Sequence, residues 1–254
     1  MTFLERLENR VRDANSLLCV GLDPRAENAN DAREQCLRVL EATQEYAAAF
    51  KINSAFFEMF GGDGMNALRD VIARVPQNIP VILDAKRGDI ADTSIAYARA
   101  AFETFGASAI TVNPYLGGDA LAPFFENAEH GAFILCKTSN AGADEFQALE
   151  TNDGALLEIV AQRAQEWNTR NNIGLVVGAT DVARIARVRE LTRAMWFLVP
   201  GIGAQGGDLQ ATLRAGLRAD GMGLLINASR SIAAAANPKA AAKKLRDEIN
   251  AIRN

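Results

Sequence analysis

The residues best equipped for chemistry cluster in one short segment, Val81-Ile-Leu-Asp84-Ala-Lys86-Arg-Gly88-Asp89-Ile90. It opens as a β-rich run. Alternate residues of a strand face the same way, so Asp84 and Lys86 point to one side, roughly 6–7 Å apart along the backbone. Ile82 shares that side, and Val81, Leu83 and Ala85 take the other. An earlier run, Phe50-Lys51-Ile52-Asn53, repeats the pattern with Lys51 and Asn53 on one face. Adjacent strands lie ~4.8 Å apart, which brings Lys51 within reach of Asp84. Gly88 permits a sharp turn, and Asp89 follows in the loop. The outcome is an array of alternating sign: Lys51, Asp84, Lys86, Asp89. Buried charges are very costly unless they are paired. The bland reading is a salt-bridge network that only ties strand ends together. The other is a reactive site whose chemistry is electrostatic, built from opposed charges at fixed positions.

A second constellation lies near the C-terminal end. In Val199-Pro-Gly201-Ile-Gly203-Ala-Gln205-Gly206-Gly207-Asp208, four glycines fall within seven residues and run into a segment that Asp208 can cap. Backbone N–H groups of such a loop can converge on an anion. Further on, Asn227-Ala-Ser229-Arg230-Ser231 offers a guanidinium able to grip phosphate oxygens in a bidentate fork. Either feature alone is an ordinary loop or a surface arginine. Together they read as a phosphate site.

These side chains need elements to position them. Eight β-rich runs are predicted: 17–21, 50–53, 81–84, 109–112, 132–137, 173–177, 196–199 and 223–227. Between them, helical spacing predicts helices over 32–49, 64–75, 92–105, 154–167, 181–192, 208–215 and 238–253, with a weaker one over 119–127. Strand–helix alternation implies parallel strands with crossover helices. Eight units with no linker or compositional break predict one α/β domain over residues 1–254, a (βα)8 TIM barrel. A doubly wound open sheet is the alternative. Against it, Gly21-Leu-Asp23-Pro-Arg25 after the first strand is no dinucleotide-binding turn, and the polar residues gather at strand C-termini, where barrel enzymes build their sites. Thr2-Phe-Leu-Glu5 is a capping box that opens an additional N-terminal helix. The polar stretch 140–153 after the fifth strand reads as a mobile loop over the barrel mouth.

Composition excludes several classes of function. The net charge is −4 and no Lys/Arg run occurs, which argues against nucleic acid or anionic membranes as partners. Charged residues interrupt the first apolar stretch, so neither a signal peptide nor a membrane span is expected. Cysteines 19, 36 and 136 form no C-x-x-C pair, which argues against disulfides or zinc and for a reducing compartment, the cytoplasm. The single histidine, His130, lies in a turn-like stretch and makes a His-based metal site or a Ser-His-Asp triad improbable.

Lys51 with Asp84-x-Lys86-x-x-Asp89 resembles the catalytic tetrad of the orotidine 5′-phosphate decarboxylases. Lys51-Ile-Asn-Ser-Ala-Phe-Phe-Glu and Asp84-Ala-Lys-Arg-Gly-Asp-Ile-Ala-Asp-Thr are similar to the longer, type 2 subfamily. The resemblance runs from Gly21 to Ile232, with its motifs in order. It implies cofactor-free decarboxylation of orotidine monophosphate, with Lys86 protonating carbon 6. It further implies that Asp23 binds ribose hydroxyls, that Ser139 binds the pyrimidine amide, and that Gln205, Gly206, Ser229 and Arg230 hold the phosphate. Many relatives carry glycine where this chain has Ser229. A homodimer is implied too, with Asp89, Ile90 and Thr93 entering the neighbouring subunit's site. The D-x-K-x-x-D pattern also occurs in sugar-phosphate decarboxylases and hexulose-phosphate synthases of the same suprafamily. A magnesium-dependent enzyme of that kind would need another acidic ligand, for which Glu58 is the candidate. A non-catalytic phosphate-ligand sensor on a barrel is the alternative from a different class.

Overall fold

The computed structural model describes residues 1–202 and 206–253. Eight parallel strands close into a barrel: β1 (Leu18–Leu22), β2 (Ala49–Asn53), β3 (Val81–Arg87), β4 (Ala109–Val112), β5 (Gly131–Lys137), β6 (Ile173–Val177), β7 (Phe197–Val199) and β8 (Leu224–Ala228). Each pairs with its neighbours in chain order, and β1 closes the ring against β8. The principal helices are α1 (Phe3–Ala14), α2 (Ala29–Thr43), α3 (Gly61–Arg74), α4 (Ala91–Arg99), α5 (Leu156–Trp167), α6 (Val182–Thr192), α7 (Leu209–Gly216) and α8 (Pro238–Arg253). The chain is therefore a (βα)8 barrel with an extra N-terminal helix. No helix among the described residues is long and apolar enough to cross a membrane.

Local sequence explains the main boundaries. Thr2 and Glu5 form the expected reciprocal capping box, with N···O distances of 3.2 and 2.9 Å. Asn28, Asp181 and Asp208 cap α2, α6 and α7 through their side chains. Helix α2 was expected to run to Ala49 but stops at Thr43. The following carbonyls are taken elsewhere: Arg10 donates to Gln44 O (2.5 Å) and Ala47 O (2.9 Å), and Ser16 to Tyr46 O (2.6 Å). The chain leaves the helix there and enters β2. The helix predicted over 92–105 is α4 followed by one wider turn, Ala100–Thr104. The weak helix over 119–127 shortens to Gly118–Leu121 and a 3₁₀ turn at Ala122–Phe124, where Pro123 interrupts it.

Strand register decides what fills the barrel. Residues paired across neighbouring strands share a face. Lys51 pairs with Gly21 and Ile82, Ala109 with Ile82 and Gly131, Phe133 with Thr111 and Gly174, and Val176 with Leu135 and Leu198. These side chains form the interior. Its N-terminal half is packed mostly with small residues around Phe133, and Phe3 of α1 meets that ring edge-on (centroids 6.1 Å apart) to seal the bottom. Polar interior residues appear only toward the strand C-termini.

Gly174 has no room for a side chain. A Cβ there would lie 2.5 Å from the Phe133 ring and 2.7 Å from the backbone oxygen of Trp196. The ring can shift but the carbonyl cannot, so Gly174→Ala should destabilise by about 1–3 kcal/mol. Urea unfolding should show a lowered midpoint at constant m-value, and an unchanged midpoint would refute this packing.

Candidate active site

A cavity of about 700 Å³ opens at the C-terminal end of the barrel. Its floor has two unlike halves. On the β5–β7 side, Leu135, Val176 and Leu198 make an apolar wall. On the β1–β4 side lie Asp23, Lys51, Asp84, Lys86 and Thr111. Lys51 Nζ sits 2.9 Å from Asp84 Oδ2 and 3.5 Å from Asp23 Oδ1, while Lys86 Nζ lies 2.6 Å from Asp84 Oδ1. Asp84 is 9% exposed and Lys51 5%. Burial alone would raise the Asp84 carboxyl, but Lys51 and Lys86 outweigh it and hold the group far below the usual carboxylate range. For Lys51, burial works to lower the ammonium, and Asp84 and Asp23 overcome it to push the group up. Cys19, directly beneath, has its thiol pushed up to about 12 by burial and is inert.

The pleat does not place Lys86 as simple alternation predicted. Strand β3 runs on to Arg87, and its register against β4 slips between Leu83 and Arg87. Within this bulge Lys86 has φ +50°, the left-handed region that non-glycine residues seldom adopt. Its backbone N–H donates to Thr111 Oγ1 (3.0 Å), and that hydroxyl donates to Asp84 Oδ1 (2.9 Å). Thr111 was not singled out from the sequence. Its parity with Ala109 on an interior strand face was the available signal.

On the β7–β8 side, Ser229 and Arg230 line the cavity with Gly201 and Ile202. Gly207 N–H donates to Gly201 O (3.1 Å), which pinches the base of the glycine-rich segment, and Gly201 and Gly206 both have positive φ. Gly206 is exposed just beyond the lining, and Gln205 lies outside the described residues. Two buried oxygens of lining residues, Asn227 Oδ1 and Ser229 Oγ, have no hydrogen-bond partner among the described residues, and Asp23 Oδ1 has only its 3.5 Å ion pair with Lys51. Buried polar atoms are rarely left unpartnered, and the Asn227 and Ser229 oxygens both belong to residues that line the cavity. Ser229 also crowds Gly21: a Cβ on Gly21 would lie 2.7 Å from the Ser229 Cβ.

The stretch 140–153, expected as a loop, holds defined structure. It contains a 3₁₀ turn (Ala141–Ala143) and a helical turn (Asp144–Gln147), and it leads into a ribbon of Glu150–Thr151 against Gly154–Ala155. Gln147 bridges Thr138 through both its amide oxygen and its nitrogen, each at 2.8 Å. Buried Lys137 pairs with Asp144 at 3.1 Å. Ser139 lines the cavity beside this latch, with Thr138, Asn140 and Gln147. Arg25 and Phe56 line the opposite rim, the guanidinium 4.5 Å from the ring centroid.

Asp89, Ile90 and Thr93 do not line their own chain's cavity. Ile90 is 62% exposed, and Met59, Ile95, Tyr115 and Leu116, on the segments that follow β2, β3 and β4, are exposed too. Glu58 is engaged by Arg87 in an ion pair and lies outside the cavity lining. No cluster of three potential metal ligands occurs among the described residues.

Residues 16–245 match the family model described as orotidine 5′-phosphate decarboxylase / HUMPS. The chain is 45% identical over 268 aligned positions to orotidine 5′-phosphate decarboxylase of Roseiflexus castenholzii, covering 99% of this chain and 98% of that one. It is 42% identical to the Ralstonia pickettii protein of the same name, end to end in both. Among solved structures, Leishmania donovani OMP decarboxylase superposes with a TM-score of 0.95 at 56% identity, covering 100% of this chain and 99% of that one. Leishmania donovani UMP synthase does so with a TM-score of 0.97 at 58% identity, this chain corresponding to 57% of that longer one.

The buried ion array predicts a defined pH response. Asp84's depressed folded pKa contributes stability above its unfolded value near 3.9, and this is lost as the pH falls below it toward the folded value. Asp84→Asn strands two ammonium groups and should cost about 3 kcal/mol at pH 7. The gap between wild type and variant should narrow below about pH 4. Urea unfolding at pH 7 and pH 3 tests this, and an equal gap at both values would contradict it.

Proposed function

The chain belongs to the orotidine 5′-phosphate decarboxylase / HUMPS family, and from that premise we propose how its cavity carries out the reaction. It removes CO₂ from orotidine 5′-monophosphate to give uridine 5′-monophosphate, the decarboxylation step of UMP biosynthesis. The observation that carries the mechanism is one carboxylate, Asp84, held between the ammonium groups of Lys51 and Lys86 in the floor of a cavity with Arg230 at its other end.

Loss of CO₂ from carbon 6 leaves an electron pair in the plane of the ring, where the π system delocalises it poorly. Stabilisation then falls to charges fixed before the reaction begins. Lys86 is the cation beside that pair. The pair takes a proton from its Nζ to form the new C6–H bond, and the neutral amine is reprotonated from solvent. Asp84 repels the substrate carboxylate more than the carbanion that replaces it. Two unit charges 4 Å apart interact by roughly 4 kcal/mol at an effective dielectric near 20. With about 1.4 kcal/mol per factor of ten in rate, one charge supplies a few decades and the array must act as a unit. Lys51 holds Asp84 and contacts ribose. Asp23, whose Oδ1 makes only the 3.5 Å contact with Lys51, is suited to the ribose hydroxyls, and Ser139 to the pyrimidine amide. Gln205, Gly206, Ser229 and Arg230 take the phosphate, whose binding energy favours closure of the mouth and exclusion of water. The pyrimidine lies on the apolar half of the floor.

Asp89, Ile90 and Thr93 serve the neighbouring subunit of a homodimer. The support is their position outside the lining of their own cavity, together with the exposed apolar side chains Met59, Ile90, Ile95, Tyr115 and Leu116 on the segments that follow β2, β3 and β4. A cytoplasmic location suits three buried, unpaired cysteines.

Lys86→Ala should keep the fold and nucleotide binding while turnover, followed by orotidine monophosphate absorbance, falls by many orders of magnitude. Near-normal turnover would remove Lys86 as proton donor. Wild-type activity should be insensitive to EDTA, and a chelator-dependent loss would favour the magnesium-dependent relatives. Mixing Lys86→Ala with Asp89→Ala should restore about a quarter of wild-type activity, because half the dimers are hybrids with one intact site. No recovery after verified subunit exchange would exclude a shared site.

A further inference from the structure

Thr111 is the one hydroxyl in its part of the barrel floor, and it is 1% exposed. Its partner in register on β5 is Phe133, and Leu135 lies on the same apolar side of the cavity. A hydroxyl carries one proton and two acceptor sites. The backbone N–H of Lys86 can only donate, so Thr111 Oγ1 accepts there at 3.0 Å. An ionised carboxylate can only accept, so the single Thr111 proton goes to Asp84 Oδ1 at 2.9 Å. Every hydrogen-bond direction at this atom is therefore fixed.

The two partners are the two ends of the reactive pair. Asp84 Oδ1 is also the oxygen that Lys86 Nζ reaches at 2.6 Å. The backbone of Lys86 is held at φ +50°, and the Thr111 acceptor satisfies its N–H in that conformation. Asp84, Lys86 and Thr111 thus close a small ring of hydrogen bonds that spans the β3 bulge. We propose that Thr111 is a positioning residue for the decarboxylation: one oxygen on β4 sets the rotation of the Asp84 carboxylate and the launch angle of the Lys86 side chain together. The proposal rests on the assignment of Asp84 and Lys86 as the reacting pair. It adds that their alignment comes from a neighbouring strand as well as from their own. Alignment matters steeply, since misplacing a catalytic group by about 1 Å can cost on the order of 100-fold in rate.

Thr111→Val removes the hydroxyl and keeps the shape, whereas Thr111→Ser keeps the hydroxyl. The valine variant should lose roughly 100-fold in kcat with KM changed less than about threefold, because no substrate contact is removed. Its thermal midpoint should fall by no more than about 10 °C, since the Lys86 N–H loses its acceptor, and its affinity for uridine 5′-monophosphate should stay near wild type. The serine variant should retain most of the wild-type kcat. If valine does not fold, Thr111→Ala carries the same kinetic expectation. A hydroxyl-free variant with kcat within threefold of wild type would overturn the proposal, as would serine and valine variants that fall equally. Comparison with Lys86→Ala separates the two readings. If that variant is dead while Thr111→Val is normal, only the role of Thr111 fails. If Lys86→Ala itself turns over normally, the assignment beneath it fails.

Discussion

A carboxylate almost out of water, clamped between two ammonium groups, is the constraint around which this barrel is arranged. Asp84 cannot be ionised at 9% exposure without Lys51 and Lys86, and Lys51 at 5% exposure cannot carry its charge without Asp84 and Asp23. Each charge is tolerated only because its neighbours are present. The array is therefore expensive to assemble and stiff once assembled, which electrostatic stabilisation of a short-lived anion requires.

The fold supplies that stiffness by an asymmetric use of its strands. Strands β1–β4 carry the polar half of the floor, and β5–β7 carry an apolar half. The bulge in β3 is where the regular sheet gives way to the site. It lifts Lys86 out of strict alternation and sets it half-exposed over the cavity, while its ammonium still bonds Asp84. Beneath this layer the interior is uncharged and sealed by α1. Opposed charges thus face a solvent-accessible cavity on one side and a packed core on the other.

Much of this was legible in the chain. Apolar runs of four to seven residues separated by helical spacing located all eight strands, and β4 and β6 were placed to the residue. Parity along β2 and β3 was enough to bring Lys51 onto Asp84. The failures have physical causes. The end of α2 was overrun because Gln44–Ala49 has helical composition, and only the distant Arg10 and Ser16 capture its carbonyls. The bulge was invisible because nothing in Asp84-Ala-Lys86 forces a left-handed residue. The role of Thr111 depends on a cross-strand register that spacing within one strand does not fix. The turns and ribbon after β5 were taken for a loop because polar, glycine-bearing sequence hides such short elements, and Gln147 anchors the helical turn by reaching back to Thr138.

The crowding of Gly21 by Ser229 ties the two ends of the sheet to each other. With less than a van der Waals separation available for any β-carbon at 21, the two sites are not independent characters. Glycine at 229 would remove the tightest of these contacts and leave Asn227 Oδ1 at 3.4 Å as the nearest neighbour. The two positions are therefore energetically coupled across the seam where the first and last strands of the ring meet, and substitutions there do not add.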